Sequence, residues 1–245
     1  MKHILSLLLL MVADMVSAQS QELNYTVSFA FVKCADVRVN VFGNQDSIKI
    51  SATAKSCGLT DFFVKVDEQY DCFLHPKSNY LPYKIEKVSK SGDSVVNINL
   101  DFNQTKNIVT NSILGNFDIL PNTYDFLSGL LLISDSTFFK EGNEKQLNIF
   151  FDNSPCILSV KYCGNKYIGN LLCKKIELKV TNLSPANKSK KFITLIPSNS
   201  THYLWLTDSQ PSYLVLAKIN LVAGSLKMEL ISTPNCLSPR GLQSP

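Results

Sequence analysis

The chain has 245 residues, 45% of them hydrophobic, and a formal net charge of +4 from 24 basic and 20 acidic residues. Nearly all the basic residues are lysine; the only arginines are Arg38 and Arg240. Nucleic-acid recognition leans on arginine for bidentate contacts to phosphate and guanine, so this balance argues against that role. The apolar content is enough to bury a substantial core.

The N-terminus opens with Lys2 and His3, continues through an apolar run from Ile4 to Val12, and reaches the small residues Val16-Ser17-Ala18. This is the layout of a secretory signal peptide. The run is far shorter than the roughly 20 residues that a bilayer core of about 30 Å demands. No cysteine follows the cleavage point, so there is no acylation site there. The sequence predicts a signal peptide over residues 1–18, one exported β domain over 19–232, and a flexible, proline-bearing tail over 233–245. No later segment is apolar enough to cross a membrane as a helix, so a soluble or peripherally attached chain is expected.

Beyond the signal segment, Tyr25, Val27, Phe29 and Phe31 alternate with smaller or polar residues, the period of a half-buried strand. After an interruption at Lys33 to Asp36, Val37, Val39 and Val41 continue it. Ile48, Ile50, Ala52 and Ala54 mark the next strand, and Val64, Val66, Tyr70, Cys72 and Leu74 another. Between these two, Leu59, Phe62 and Phe63 crowd a connection that would ordinarily be polar, so a plug folded under the sheet is expected. Pro82 suits an edge position or a strand start, since proline donates no ladder bond. Val96 to Phe102 alternates again.

One helix is predicted near residues 123–134, capped by Asn122-Thr123, with Phe126, Leu127, Leu130, Leu131 and Ser134 on one face. Gly129 weakens it by about 1 kcal/mol relative to alanine. Strands return at Leu147 to Phe151, Leu158 to Tyr162, Ile176 to Val180, Tyr203 to Thr207, Tyr213 to Leu221 and Leu226 to Leu230. The polar stretch Asn182 to Lys191 reads as a solvated loop. Many short strands, tight turns and one helix predict a mainly β fold, one large antiparallel sheet with a short helix packed on it.

There are seven cysteines, Cys34, Cys57, Cys72, Cys156, Cys163, Cys173 and Cys236. An odd number cannot all pair within one chain. Cys34 and Cys72 read as small buried apolar residues; a bridge involving Cys156, Cys163 or Cys173 is left open, with no spacing to support one. Sequons occur at Asn24, Asn103, Asn182, Asn187 and Asn199.

With the strands placed, SATAKSCGLTDFFVKVDEQY (Ser51 to Tyr70) resembles the core of a bacterial exported family catalogued as a domain of unknown function, DUF3108. Ser94 to Phe102 is similar to its following strand and Tyr124 to Ile133 to its leucine-rich helix. Trp205 to Ser232 resembles its C-terminal hairpin. The resemblance covers nearly the whole mature chain. It implies a periplasmic protein whose large antiparallel sheet is curved into a half-barrel or open barrel, akin to lipoprotein-carrier and YmcC-type folds. No catalytic residue is established for that family, so none is carried over. The chain departs from the pattern at Cys34-Ala35, where glycine is usual, and at Ser209-Gln210, where an acidic and a basic residue form the turn.

Chemistry-bearing motifs are few. Past the signal segment the only histidines are His75 and His202, and neither has a ligand partner at metal spacing. There is no nucleophile elbow, dinucleotide fingerprint or phosphate-loop lysine. No metal, cofactor or catalytic residue is therefore assigned. Asp67-Glu68 is the one carboxylate pair that invites acid–base work, yet neighbours on a strand point to opposite faces. Glu68 falls on the apolar parity of Val66 and Tyr70, which is costly unless it is paired, with Lys84 or Lys218 as partners, or sits at the sheet margin. A hydrolase of envelope lipid or glycan would need Asp67, Glu68 and His75 in one cleft; an interaction or structural protein would dock through a sheet edge or Lys188 to Lys191. The favoured reading is a non-enzymatic envelope protein holding a lipid or other apolar ligand against the concave face. The residues named for that face are Phe62, Phe63, Val66, Tyr70, Trp205, Tyr213, Val215, Ile219 and Met228. Its competitor is a hollow filled by side chains, because interiors are usually close-packed.

Overall fold

Alternating apolar and polar residues carry the chain into two antiparallel meanders. The first comprises β1 (Gln19–Phe29), β2 (Val32–Gly43), β3 (Ile48–Ser56), β4 (Asp67–His75), β5 (Leu81–Ser91), β6 (Ser94–Asn103), β7 (Ile108–Asn111) and β8 (Gly115–Asp118). A two-residue strand, β9 (Thr123–Tyr124), and the helix α1 (Phe126–Ser134) lead to the second. That meander comprises β10 (Glu144–Phe151), β11 (Ser154–Ile168), β12 (Leu171–Asn182), β13 (Thr201–Thr207), β14 (Leu214–Leu221) and β15 (Gly224–Ser232). The computed structural model describes residues 19–43, 46–58, 66–91, 93–140, 142–183, 196–197 and 200–232. The predicted signal peptide, the stretch bearing Leu59, Phe62 and Phe63, the stretch Lys188 to Lys191 and residues 233–245 lie outside the described residues.

The meanders merge where the first strand pairs with the last. Tyr25 sits opposite Leu230 and Val27 opposite Met228, giving one fifteen-stranded sheet in the order β8 to β1, then β15 to β9. All pairs are antiparallel except the short β9–β10 pair. The predicted mainly β fold with one α-helix is what the described residues form.

The sheet is rolled. Helix α1 packs on β4, β9 and β10, and β9 meets β5, although these strands lie far apart in the sheet order. Ile149 joins the cluster of Leu158, Ile176 and Leu204, whereas its neighbour Phe150 points the other way and is 3% exposed. Phe150 packs edge-on against Phe102, centroids 6.1 Å apart, and tilted on Phe117 at 5.5 Å. The inner face of β6 to β8 thus covers the back of β10. The roll closes by overlap of apolar faces and not by a hydrogen-bonded seam.

Helix α1 fills the overlap, and this corrects its predicted face. Leu127 and Leu131 join the cluster around Cys72, Ile85 and Phe102, while Leu132 and Ile133 join the one around Ile149 and Leu158. Ser128 and Gly129 are also buried, but Phe126 is 42% exposed. A helix gripped on two flanks does not show the single stripe that one-sided packing imposes. The cap differs too. Asp125 is the N-cap, accepting from the N–H groups of Leu127 and Ser128, and Ser128 returns a bond to the Asp125 N–H at 2.9 Å. The expected cap residues lie earlier: Asn122 has a left-handed backbone and Thr123 belongs to β9.

Two further expectations are corrected. The chain reverses between β1 and β2 at Ala30-Phe31, with φ of 48° and 71°, so Phe31 is a fully exposed hairpin tip and not a strand residue. Cys34 is half-buried, not a core residue. Pro82 stands near the start of β5, at the irregularity beside Leu74, so it removes no regular ladder bond.

Candidate functional site

Residues directly opposite one another in a ladder share a face. From the buried Tyr25, the inner face therefore runs to Val37 and Ala54 on one side and Leu230 on the other. From Val27 it runs to Met228 and Ala217, and from Phe29 to Leu226 and Ile219. Toward the helix these rows end in buried residues: Leu23, Tyr25, Ile50, Cys72 and Leu74. Toward the opposite end, where the β1–β2 and β14–β15 hairpins turn, Val27, Phe29, Val37, Ala54, Ile219, Leu226, Met228 and Leu230 are only half-buried. Helix α1 packs on β4, β9 and β10, not on this end. At its lip the Phe29 ring lies so close to Gly224 that a Cβ there would meet two ring carbons at 3.1 Å. Gly224 also has φ of +146°, a backbone conformation that other residues rarely adopt, so a side chain there would be strained.

The nine residues named from the sequence divide over this frame. Phe62 and Phe63 lie outside the described residues. Val66 is half-buried just before β4, its backbone pinned to Ser56 by bonds of 2.9 Å in each direction. Tyr70 points inward, and Ile219 and Met228 lie on the half-buried stripe. Tyr213 bridges the inner cluster and an outer one. Trp205 and Val215 belong to the outer one, with Cys173, on the face opposite Leu204 and Ala217. There Lys175 lies over Tyr203 at 4.3 Å and over Trp205 at 6.0 Å. The nine therefore do not form one surface. The structure adds Val27, Phe29, Val37, Ala54, Leu226 and Leu230, which strand parity alone pointed to once the β1–β15 pairing is known.

At the helix end the inner face is polar at one spot and fully satisfied. Asp125 is 0% exposed. Besides its two cap bonds it accepts the Tyr70 hydroxyl at 3.2 Å and the Cys72 thiol at 3.1 Å. Burial, followed by the neighbouring Asp125, pushes both Tyr70 and Cys72 well above their ordinary range. Both stay protonated and donate. The cluster joins β4 to the helix and leaves no open position for a reactant.

The carboxylates considered for acid–base work are held elsewhere. Glu68 pairs with Lys87 at 3.0 Å, while Lys84 pairs with Glu86. An ion-pair partner is present, but it is Lys87, the β5 residue diagonal to Glu68 and opposite Tyr70, and neither Lys84 nor Lys218. His75 stacks on Tyr83 at 4.4 Å at the far end of β4 from Asp67 and Glu68. At about 3.3 Å per residue the two ends are more than roughly 20 Å apart, so these three groups share no cleft. Among the described residues no group of three or more His, Cys, Asp or Glu is placed to hold a metal ion. An open cleft of about 500 Å³ beside His75 and Tyr83, and another of about 540 Å³ beside Tyr124 and Phe138, both lie off the half-buried stripe.

The model of a protein family of unknown function, DUF3108, matches residues 24–231. The chain belongs to this family. That span takes in the inner-face stripe, the Asp125 cluster and both meanders of this DUF3108 protein. Among solved structures it is similar to a beta-barrel-like protein of domain of unknown function DUF1849 from Brucella abortus. The TM-score is 0.56 at 9% identity, over 87% of this chain and 95% of that one. It is also similar to the lipoprotein LppX from Mycobacterium tuberculosis, at a TM-score of 0.33 and 13% identity over 96% of each chain. No curated protein matches the DUF3108 chain. No helix among the described residues is long and apolar enough to cross a membrane.

Proposed function

We propose that this DUF3108 protein is exported to the bacterial envelope, where it holds a lipid or other apolar ligand against the half-buried end of its inner face. The observation that carries the reading is the stripe from Ile219 through Leu226, Phe29, Val27 and Met228 to Val37 and Ala54. These side chains face the inside of the roll yet keep partial contact with solvent. A filled core would bury them fully, as it buries Leu204 and Ile176. Laying an acyl chain there gains about 0.8 kcal/mol per methylene. Roughly ten methylenes offset a typical association cost of 4–15 kcal/mol. The signal-peptide pattern at residues 1–18 supports export, and an exported chain works in water where lipids need an escort. Native mass spectrometry of protein purified from its own host tests the reading, with displacement of a hydrophobic dye by fatty acids. The expected result is a retained apolar adduct and dye release. A bare polypeptide mass together with no displacement would overturn it.

A further inference from the structure

We infer that Cys34 and Cys57 are a disulfide-forming pair that clasps the end of β2 to the end of β3. The last ladder pair between these strands places Ala35 opposite Ser56. One step further puts Cys34 opposite Cys57, and the Cys57 N–H donates to the Cys34 carbonyl at 3.1 Å. Opposed residues of an antiparallel pair have Cα atoms about 4.5–5.5 Å apart. That falls inside the window of about 4.4–6.8 Å that disulfides occupy.

The local backbone favours the encounter. Val27 faces Ala35 but Ser28 faces Lys33, so Cys34 is the extra residue of a β-bulge on β2. A bulge re-aims the side chain it carries and leaves it outside the regular pairing. The Cys34 thiol, half-buried, makes a weak bond to the Val27 carbonyl at 3.3 Å, and Cys57 is half-buried too. Cys57 lies near enough to act on Cys34: burial, followed by Cys57, raises the Cys34 thiol above its ordinary range. Lys33, held by Asp36 at 2.7 Å, is also within electrostatic reach of Cys57. The other described cysteines are differently placed: Cys72, Cys156 and Cys173 are buried, and Cys163 is exposed. Cys173 faces Lys166 across the ladder and Cys156 faces Asn182, so neither meets a second cysteine there.

The oxidant is a disulfide, either a protein thiol–disulfide oxidoreductase or oxidised glutathione. One thiolate attacks it, forming a mixed disulfide and expelling one thiol. The second thiolate then attacks the mixed disulfide, forming the Cys34–Cys57 bond and releasing the other thiol. The two cysteines lose two electrons and two protons, and the oxidant carries both away. The clasp closes the chain at the sheet end where the half-buried stripe opens, but its formation does not depend on a ligand.

The test uses the purified protein equilibrated with oxidised glutathione, alkylated without reduction, digested and mapped by mass spectrometry, with a reduced sample beside it. The expected result is a cross-linked peptide joining Cys34 to Cys57 as the dominant internal bridge, with Cys163 recovered alkylated or capped by glutathione. The oxidised protein should melt roughly 5–10 °C above the reduced one, a difference lost in C34S and C57S alike. Separate recovery of Cys34 and Cys57 as alkylated or glutathione-capped thiols after oxidation would overturn the inference. So would a dominant bridge that joins either to a different cysteine.

Discussion

The Cys72 thiol donates to the Asp125 carboxylate at 3.1 Å, across the gap between β4 and the N-terminus of α1. Asp125 is 0% exposed, and it is stable there because four donors converge on its two oxygens: two cap N–H groups, a thiol and the Tyr70 hydroxyl. The helix dipole adds to this, since a carboxylate at an N-terminus is favoured. The cluster converts a local capping signal into a tertiary tie.

Replacing Asp125 by alanine removes the cap, worth about 1 kcal/mol, and strands the buried Tyr70 hydroxyl at a further 1–3 kcal/mol or so. The expected loss is about 2–4 kcal/mol in urea unfolding followed by circular dichroism. Cys72→Ala deletes one weak donor and leaves the other three, so its cost stays near 1 kcal/mol. An Asp125→Ala protein as stable as the parent would show that the cluster does not hold the helix to β4.

Acid should weaken the fold through His202, well before the carboxylates titrate. His202 is 1% exposed, and its Nδ1 accepts the Asn220 N–H at 3.0 Å. The neutral ring therefore carries its proton on Nε2, 3.1 Å from the Ser200 hydroxyl. Burial lowers its pKa below the ordinary 6.5. Between that native value and 6.5 the unfolded chain binds a proton that the folded chain does not, so stability falls as pH falls through this window and levels off beneath it. Each unit of depression corresponds to about 1.4 kcal/mol. Denaturant midpoints should decline from pH 7 to pH 5, and His202→Gln should flatten that slope. Asp71 acts lower. Burial raises its carboxyl, but Ser51, Gln69 and Lys49 together bring it below the ordinary range, so its contribution disappears only in stronger acid.

Gly129 offers a change in the other direction. A Cβ built there meets Tyr124 Cβ at 3.8 Å and Ile149 Cγ2 at 3.9 Å, ordinary contact distances. Gly129→Ala should raise stability by about 0.5–1 kcal/mol through helix propensity and a less flexible unfolded chain. A loss would mean that α1 sits closer to β9 and β10 than these distances allow.

The strands were legible because β15 and β1 to β4 alternate cleanly; their inner and outer residues differ in kind. Three features were not. The Ala30-Phe31 turn uses no glycine, asparagine or proline, so nothing in its composition announced a reversal. The roll depends on Phe150 and Ile149 burying opposite faces of one strand, and a strand apolar on both sides has no period to read. The same ambiguity affected the site. In Thr201–Thr207 both Leu204 and Leu206 and their neighbours Tyr203 and Trp205 are apolar, so parity could not tell inner from outer. The Asp125 cap could have been found: an Asp directly before the apolar run with Ser128 three positions on is a capping signature that Asn122-Thr123 drew attention from.

The ligand reading can be tested within one strand. Met228 and Ile231 both lie on β15, but Met228 faces the inner stripe opposite Val27 and Ala217, while Ile231 is 60% exposed. A lysine at Met228 places a charge among Val27, Ala217 and the Leu226 row, and removes apolar contact worth about 1.5–3 kcal/mol in a fully buried methionine. Half of that figure is a loss in affinity of about four- to tenfold. Met228→Lys should therefore weaken fatty-acid displacement of a hydrophobic dye about four- to tenfold, with the protein still folded by circular dichroism. Ile231→Lys adds the same charge to the same strand on a surface already in water, and should leave binding within about twofold. Equal losses in the two variants would mean that net charge and not the inner face governs binding. Unchanged affinity in Met228→Lys would move the ligand off the stripe altogether, leaving the overlap around α1, with its Tyr124 and Phe138 cleft, as the place to search.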